Sequence, residues 1–345
     1  MKGIRIELSS KAFGNSNDSV ALLKNCRSLC RERGVAFGVQ LHNTTEHEEI
    51  AFFTKNSVPL SVHSPLEQPY NWNFATKDMG DTWGKIDENV RRFRDLAVDL
   101  AVFHGFFMTD LPCPAFGRGK TFHQCLGPLF RPEFARWEGK LQNGEFLDTA
   151  EYLERRERVK RNLALLRAKY PDITFCIEND YPYCGTGSLL PRDLAYYEHP
   201  LCLDTGHLWC TARLYKRDFF AAANAILATG RVAMLHLHAS KYDDSYPDDQ
   251  WSDGHQPLSI PNAAAMRLRE ISRNAAAAGV RIFLVKGFYF LQTVLYCKPG
   301  KHTVQTAPAG RASAKECDHA GDSGFRRSAG QRLSASGFQR QHADG

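Results

Sequence analysis

Residues 201–210 read LCLDTGHLWC. The apolar run Leu201, Cys202, Leu203 has the length of a short buried strand, and it ends on Asp204, with His207 three positions later. This spacing predicts a strand over 201–207 that delivers a carboxylate and an imidazole to one place at its C-terminal end. Similar apolar runs recur on both sides, and strands are expected at 3–9, 35–42, 59–65, 100–106, 173–179, 232–239 and 280–286. Helix-like segments separate most of them. The clearest, AEYLERRERVKRNLALLRAKY over 150–170, is apolar at Leu153, Val159, Leu163 and Leu166 and charged elsewhere. Asp18 or Ser19 is placed to cap the first helix, and Gly34 stands where its C-terminal glycine belongs.

Strongly apolar strands alternating with amphipathic helices imply parallel pairing with both sheet faces covered. Eight such units before residue 292 fit an α/β fold of the (β/α)8 TIM barrel type. A doubly wound sheet fits less well, because the glycine fingerprint after the first strand is missing. The barrel is expected to span 1–292. From Lys298 to Gly345 the only large aliphatic or aromatic residues are Val304, Phe325, Leu333 and Phe338. Residues 293–345 therefore read as a basic tail of low hydrophobicity, and the last barrel helix as missing or degenerate.

The polar residues carry the functional argument. His63, His104, Glu178, Asp204, His207 and His236 fall at C-terminal strand ends, and Asp253 and His255 on the loop after the seventh strand. In a TIM barrel those ends and loops form the catalytic face, so residues distant in sequence converge at one mouth. Imidazoles and carboxylates without a thiolate suit Zn, Mn, Co or Fe(II). A divalent ion also resolves the mutual repulsion of Glu178, Asp204 and Asp253. Aromatic residues follow the strands as well, among them Trp72, Phe106, Phe107, Tyr181, Tyr183, Trp209 and Tyr242, and their faces suit sugar C–H groups or extruded bases.

The connection over 107–149 is long enough for a lid, and it carries Arg118, Lys120 and Arg131, which could meet an anionic group. Its GRGKT is not a phosphate loop, because Pro114 stands where that motif needs its first glycine.

Bulk properties exclude other classes. The chain of 345 residues carries a net charge of +6, but the segment from Lys286 onward holds nine Lys/Arg against four Asp/Glu. The first 285 residues are left with only +1, which does not declare a phosphate-backbone binder. No stretch has the apolar length of a signal-peptide core or a membrane span, so no membrane partner is expected. Ten cysteines without a repeating spacing, several within apolar runs, fit a reducing cytoplasm. Cys26 and Cys30 are four apart on a helix, but no second pair completes a metal site.

The runs SVHSPL (61–66), VFHGF (102–106), CIEND (176–180), LDTGH (203–207), LHLHASK (235–241) and SDGH (252–255) together resemble the xylose-isomerase-like TIM barrel superfamily, which includes endonuclease IV and the sugar isomerases and epimerases. The resemblance spans the third to seventh strands and the loop after the seventh. It implies a divalent metal, Mn, Co, Mg or Zn, in one to three ions.

In the isomerase and epimerase branch one ion is held by Glu178, Asp204, His236 and a carboxylate on the eighth strand. Glu178 and His207 are then the catalytic residues, His207 contacting a small polyhydroxylated substrate such as a sugar, sugar phosphate or polyol, while two carboxylates, one of them on the eighth strand, shuttle its proton. Trp72, Phe106, Arg118, Lys120, Tyr181, Trp209 and Lys241 are the expected substrate-binding residues.

In the endonuclease IV branch His63, His104, Glu178, Asp204, His207, His236, Asp253 and His255 hold three zinc ions, and only this alternative takes nucleic acid. The segment HLHASK is similar to that branch's HLNDSK. Lys286 departs from both branches, since it stands where the eighth-strand carboxylate belongs and a lysine only donates. The coincident loss of that carboxylate and of apolar periodicity points to a reading-frame change near 286, with a natural disordered basic tail as the alternative; the other two frames of the coding DNA test this directly. A degenerate metal-binding barrel without turnover is the third reading.

Overall fold

The computed structural model describes residues 3–13, 18–115, 124–125, 129–136, 141–183 and 185–285. Lys286, the segment 293–345, Arg118 and Lys120 lie outside the described residues, as does any helix after the eighth strand.

Eight strands close into a parallel barrel: β1 (Arg5–Ser9), β2 (Ala36–Leu41), β3 (Leu60–Ser64), β4 (Leu100–Phe103), β5 (Thr174–Glu178), β6 (Leu201–Asp204), β7 (Val232–Leu237) and β8 (Ile282–Val285). Each pairs with the next, and β8 returns to β1 with Arg5 opposite Ile282 and Leu8 opposite Val285. The interleaved helices are α1 (Asp18–Glu32), α2 (His47–Lys55), α3 (Gly80–Asp95), α4 (Ala150–Lys169), α5 (Pro191–Tyr196), α6 (Thr205–Leu214), α7 (Phe219–Leu227), α8 (Asn262–Ala265) and α9 (Leu268–Ala277). The (β/α)8 TIM barrel expected from the alternation is the observed architecture. None of the described helices is long and apolar enough to cross a membrane.

Strand periodicity sorts the side chains. Leu100, Val102, Cys176, Cys202, Met234 and Leu284 form one buried cluster, each two residues from the next inward position on its strand. One step further along three of these strands stand Glu178, Asp204 and His236. The intervening residues, such as Ile177, Leu203 and Leu235, pack in the larger core beneath the helices. On these three strands the barrel interior is thus apolar below and polar at the top, while β1 adds a buried Glu7, 2.7 Å from Arg5 Nε and accepting from Ser61 Oγ. Cys26 and Cys30 belong to the outer core, where burial pushes their thiols up to about 11 and about 12.

Helix ends follow local chemistry. Gly34 has φ +67° after α1; its N–H donates to Arg31 O and the Val35 N–H to Cys30 O, the two bonds of a Schellman stop. α1 begins at Asp18, so Asp18 and Ser19, the two cap candidates, are its first helical residues, and residues 14–17 before them lie outside the described residues.

Two expectations change. The strand read over 201–207 stops at Asp204, because α6 begins at Thr205. On α4, Leu153 is exposed while Arg155 and Arg158 are buried. Arg155 donates to Thr109 O (3.0 Å), Ala75 O (3.3 Å) and both oxygens of Asp110, and Arg158 donates to Ala75 O (2.8 Å). These guanidinium groups satisfy loop carbonyls that no strand can reach, so charge here is structural and hydrophobicity alone misreads the buried face. The bonds tie together the loops that follow β3 and β4, beside the barrel mouth. Arg155→Met should therefore destabilise the fold by about 2 kcal/mol or more in urea unfolding, since it strands several buried acceptors at once.

In the long connection after β4, Ala135–Arg136 pairs antiparallel with Leu141–Gln142. Arg131 does not face an anion site: its Nη1 and Nη2 each lie 3.0 Å from Glu151, and Nη1 also donates to Met108 O. That bidentate pairing holds the Glu151 carboxyl down to about 2.

Candidate metal centre

The barrel places all eight sequence-predicted ligands in one network at the C-terminal mouth. Its floor is Glu178, Asp204 and His236, none with exposed side-chain surface. Strand register brings Asp204 directly opposite His236. Glu178 Oε1 lies 2.7 Å from His236 Nδ1 and 4.0 Å from His207 Nδ1. Its other oxygen, Oε2, lies 3.1 Å from His63 Nε2 and 3.6 Å from His104 Nε2. A second group sits toward solvent, where Asp253 Oδ2 is 3.3 Å from His207 Nε2 and 2.8 Å from His255 Nε2. Exposure rises along this path, from none at the floor to 47% of the His255 side chain.

A backbone carbonyl and a side-chain amide orient two of the imidazoles. His207 Nδ1 lies 2.9 Å from Asn179 O, a carbonyl that only accepts, so Nδ1 carries a proton and Nε2 is the atom turned toward Asp253. His236 presents Nδ1 to the carboxylates, with Gln40 Nε2 3.2 Å from its Nε2 on the far side.

The carboxylates and histidines polarise one another. Burial disfavours ionised Glu178, yet His236 and His104 hold it well below the usual carboxylate range. Burial likewise opposes ionised Asp253, and His255 and His207 overcome it. Burial pushes His63 down to about 4. His104 moves up despite burial because Asp180 and Glu178 face it, and His207 moves well up because Asp204 and Asp253 do.

Two members were missed in the sequence. Asp180 Oδ2 lies 3.3 Å from His104 Nδ1, and His238 Nε2 lies 2.8 Å from Asp204 Oδ1. Each stands two positions beyond a predicted ligand, Glu178 and His236, and the strand period of two is the signal that finds them.

The residues fit a divalent cation. Several overlapping groups of three donors, including Glu178–Asp204–His207 and His63–Glu178–His236, bring their ligand atoms within 4.8 Å of one another. His63 Nδ1 and Asp253 Oδ1 are buried and find no hydrogen-bond partner among the described residues. An all-oxygen-and-imidazole donor set of this kind suits Zn, Mn or Co.

The expected substrate-binding residues divide. Tyr181 packs its ring 5.3 Å from His207. Lys241 is exposed, with Nζ 5.3 Å from the Tyr242 ring centroid. Trp209 is half-buried, donating Nε1–H to Tyr242 O (2.8 Å). Trp72 and Phe106, by contrast, are core residues: Trp72 packs on Phe103 and Phe175, and Phe106 stacks on Tyr152 at 5.1 Å. Both rings are spent on packing.

The barrel was compared with solved structures. A D-tagatose 3-epimerase-like protein superposes with TM-score 0.50 at 11% identity, over 84% of this chain and 94% of its own. Its structural neighbours are xylose isomerase-like TIM barrel proteins. They include a xylose isomerase domain-containing protein of Salmonella typhimurium (TM-score 0.47, 14% identity, covering 85% of this chain and 92% of that one). Another is a family 2 AP endonuclease of Brucella melitensis (0.41, 11%, 82% and 92%). No protein-family model and no curated protein matches the sequence. The xylose isomerase-like likeness is one of fold, and the chemistry rests on the residues.

Proposed function

We propose that this barrel is a divalent-metal-dependent isomerase or epimerase of a small polyhydroxylated substrate, a sugar, sugar phosphate or polyol. The observation that carries the reading is the closed floor of Glu178, Asp204 and His236, with His207 directly above it. Glu178, Asp204 and His236 would hold the ion, which supplies polarisation of neighbouring substrate oxygens and so acidifies an adjacent proton. Glu178, kept ionised by its histidines, is the base that takes that proton and returns it to the neighbouring carbon, which balances an aldose–ketose isomerisation. His207, fixed by Asn179 O, turns Nε2 toward the substrate side and holds a hydroxyl, while the Tyr181 ring offers a packing face. A balance of +1 over the first 285 residues supports a small substrate over a polyanion.

A second reading, a multi-zinc phosphoester hydrolase, is favoured by one observation: His63, His104, Asp253 and His255 add more donors than a single ion takes. Elemental analysis with a ketose/aldose panel and an abasic-site nicking assay separates the two. One exchangeable Mn or Co with sugar turnover supports the isomerase, three zinc with nicking supports the hydrolase, and no metal supports a barrel without turnover. Lys286→Glu restores the carboxylate that the resemblance calls for after β8. It is expected to tighten Mn2+ binding by at least roughly tenfold in calorimetry.

A further inference from the structure

Asp204 is held from two sides. From its own helix, the N–H groups of Gly206 and His207 both donate to Oδ1 at 2.9 Å, which makes the proposed ligand also the N-cap of α6. From the neighbouring strand, His238, the residue after β7, brings Nε2 to 2.8 Å from the same oxygen. His238 is fully buried, and its backbone is stitched to the first turn of α6. Its N–H donates to Thr205 Oγ1 (3.1 Å), and that hydroxyl lies 2.8 Å from His238 O and 3.2 Å from His236 O.

We infer that His238 is a positioning residue that commits Asp204 to bind metal through Oδ2 alone, an inference resting on the metal reading of the site. At 2.8 Å from a carboxylate oxygen, Nε2 must carry its proton, since two lone pairs would otherwise face each other. Oδ1 then accepts three N–H donors, more than its two lone pairs, and has no capacity left for an ion. Oδ2 is the oxygen turned toward His236 Nδ1, at 3.7 Å. Asp204, His238 and His255 also offer ligand atoms within 4.8 Å of one another. With its Nε2 proton committed to Oδ1, however, His238 serves the aspartate rather than an ion. Its effect on metal is indirect: it fixes the carboxylate's rotation and spreads its charge so that one oxygen faces the floor.

Co2+ titration of the full chain tests this by absorption spectroscopy, with the melting temperature of the metal-free protein as the fold readout. His238→Phe keeps a ring and removes the donor, and should weaken Co2+ binding roughly 10- to 100-fold. His238→Gln places an amide N–H near the lost Nε2–H, and should stay close to wild type with the same spectrum. Unchanged affinity in His238→Phe overturns the inference. So does loss of a nitrogen ligand from the His238→Gln spectrum, which would make His238 a ligand itself. A wild-type chain that takes up no Co2+ overturns the metal reading, and this inference falls with it.

Discussion

Glutamine in place of Glu178 should strip the barrel of divalent metal and of turnover together. The substitution conserves volume in a fully buried position, so it opens no cavity. It removes a negative charge that faces four histidines through two different oxygens, at 2.7 Å and 4.0 Å on one side and 3.1 Å and 3.6 Å on the other. It also replaces an acceptor with an N–H donor pair directed into the same donor cluster. Neither neighbouring carboxylate spans the same four histidines: Asp204 meets His236 only at 3.7 Å, and Asp180 reaches His104 at 3.3 Å. Metal affinity should fall by at least about 100-fold and kcat by at least about 100-fold. Ligand-linked melting separates this from misfolding: at 100 times its Kd a metal stabilises the wild type by about 2.7 kcal/mol, and the variant should gain almost none. A Glu178→Gln protein that keeps the metal-induced rise in Tm would show that Glu178 is not a ligand.

The strands and the polar residues clustered at their ends were legible for the same reason. A barrel strand is short, apolar and inward-facing at every second residue, so a polar residue at its C-terminal end stands out against the run that precedes it. His63 after LSV, Glu178 after FCI and His236 after AML are all found this way. The same alternation, carried one step further, reaches Asp180 and His238, which sit just past the strand ends at 178 and 237.

What the sequence hid were contacts with partners far along the chain. Arg155 and Arg158 read as solvent-facing until loop carbonyls from Ala75 and Thr109 are brought against them. Trp72 and Phe106 follow strands like substrate-facing aromatics, yet the loops fold back and bury them on Phe103 and Tyr152. The early start of α6 was hidden because Asp204, the proposed ligand, also caps that helix, and only its bonds to Gly206 and His207 show it.

Alanine at Gly206 should damage both stability and the metal centre, and the damage should depend on His238. Gly206 lies in the first turn of α6, and a Cβ there would fall 2.0 Å from His238 Cε1 and 2.8 Å from each ring nitrogen. No rotamer adjustment of a methyl relieves that overlap, so either the imidazole leaves Asp204 or the helix start shifts. The helix start is pinned by Asp204 Oδ1 and by Thr205 on the backbone of residues 236–238, which leaves the imidazole to move. Overpacking of this kind costs about 1–3 kcal/mol, read as a lower midpoint in urea with an unchanged slope. Metal affinity should fall alongside, because the displaced His238 no longer holds Asp204. A double-mutant cycle makes the argument exact in its cause: in a His238→Ala background the ring is gone, and Gly206→Ala should then cost nearly nothing. The coupling energy should be at least about 1 kcal/mol. Equal cost in both backgrounds would mean that the glycine answers to the helix backbone and not to the imidazole packed against it.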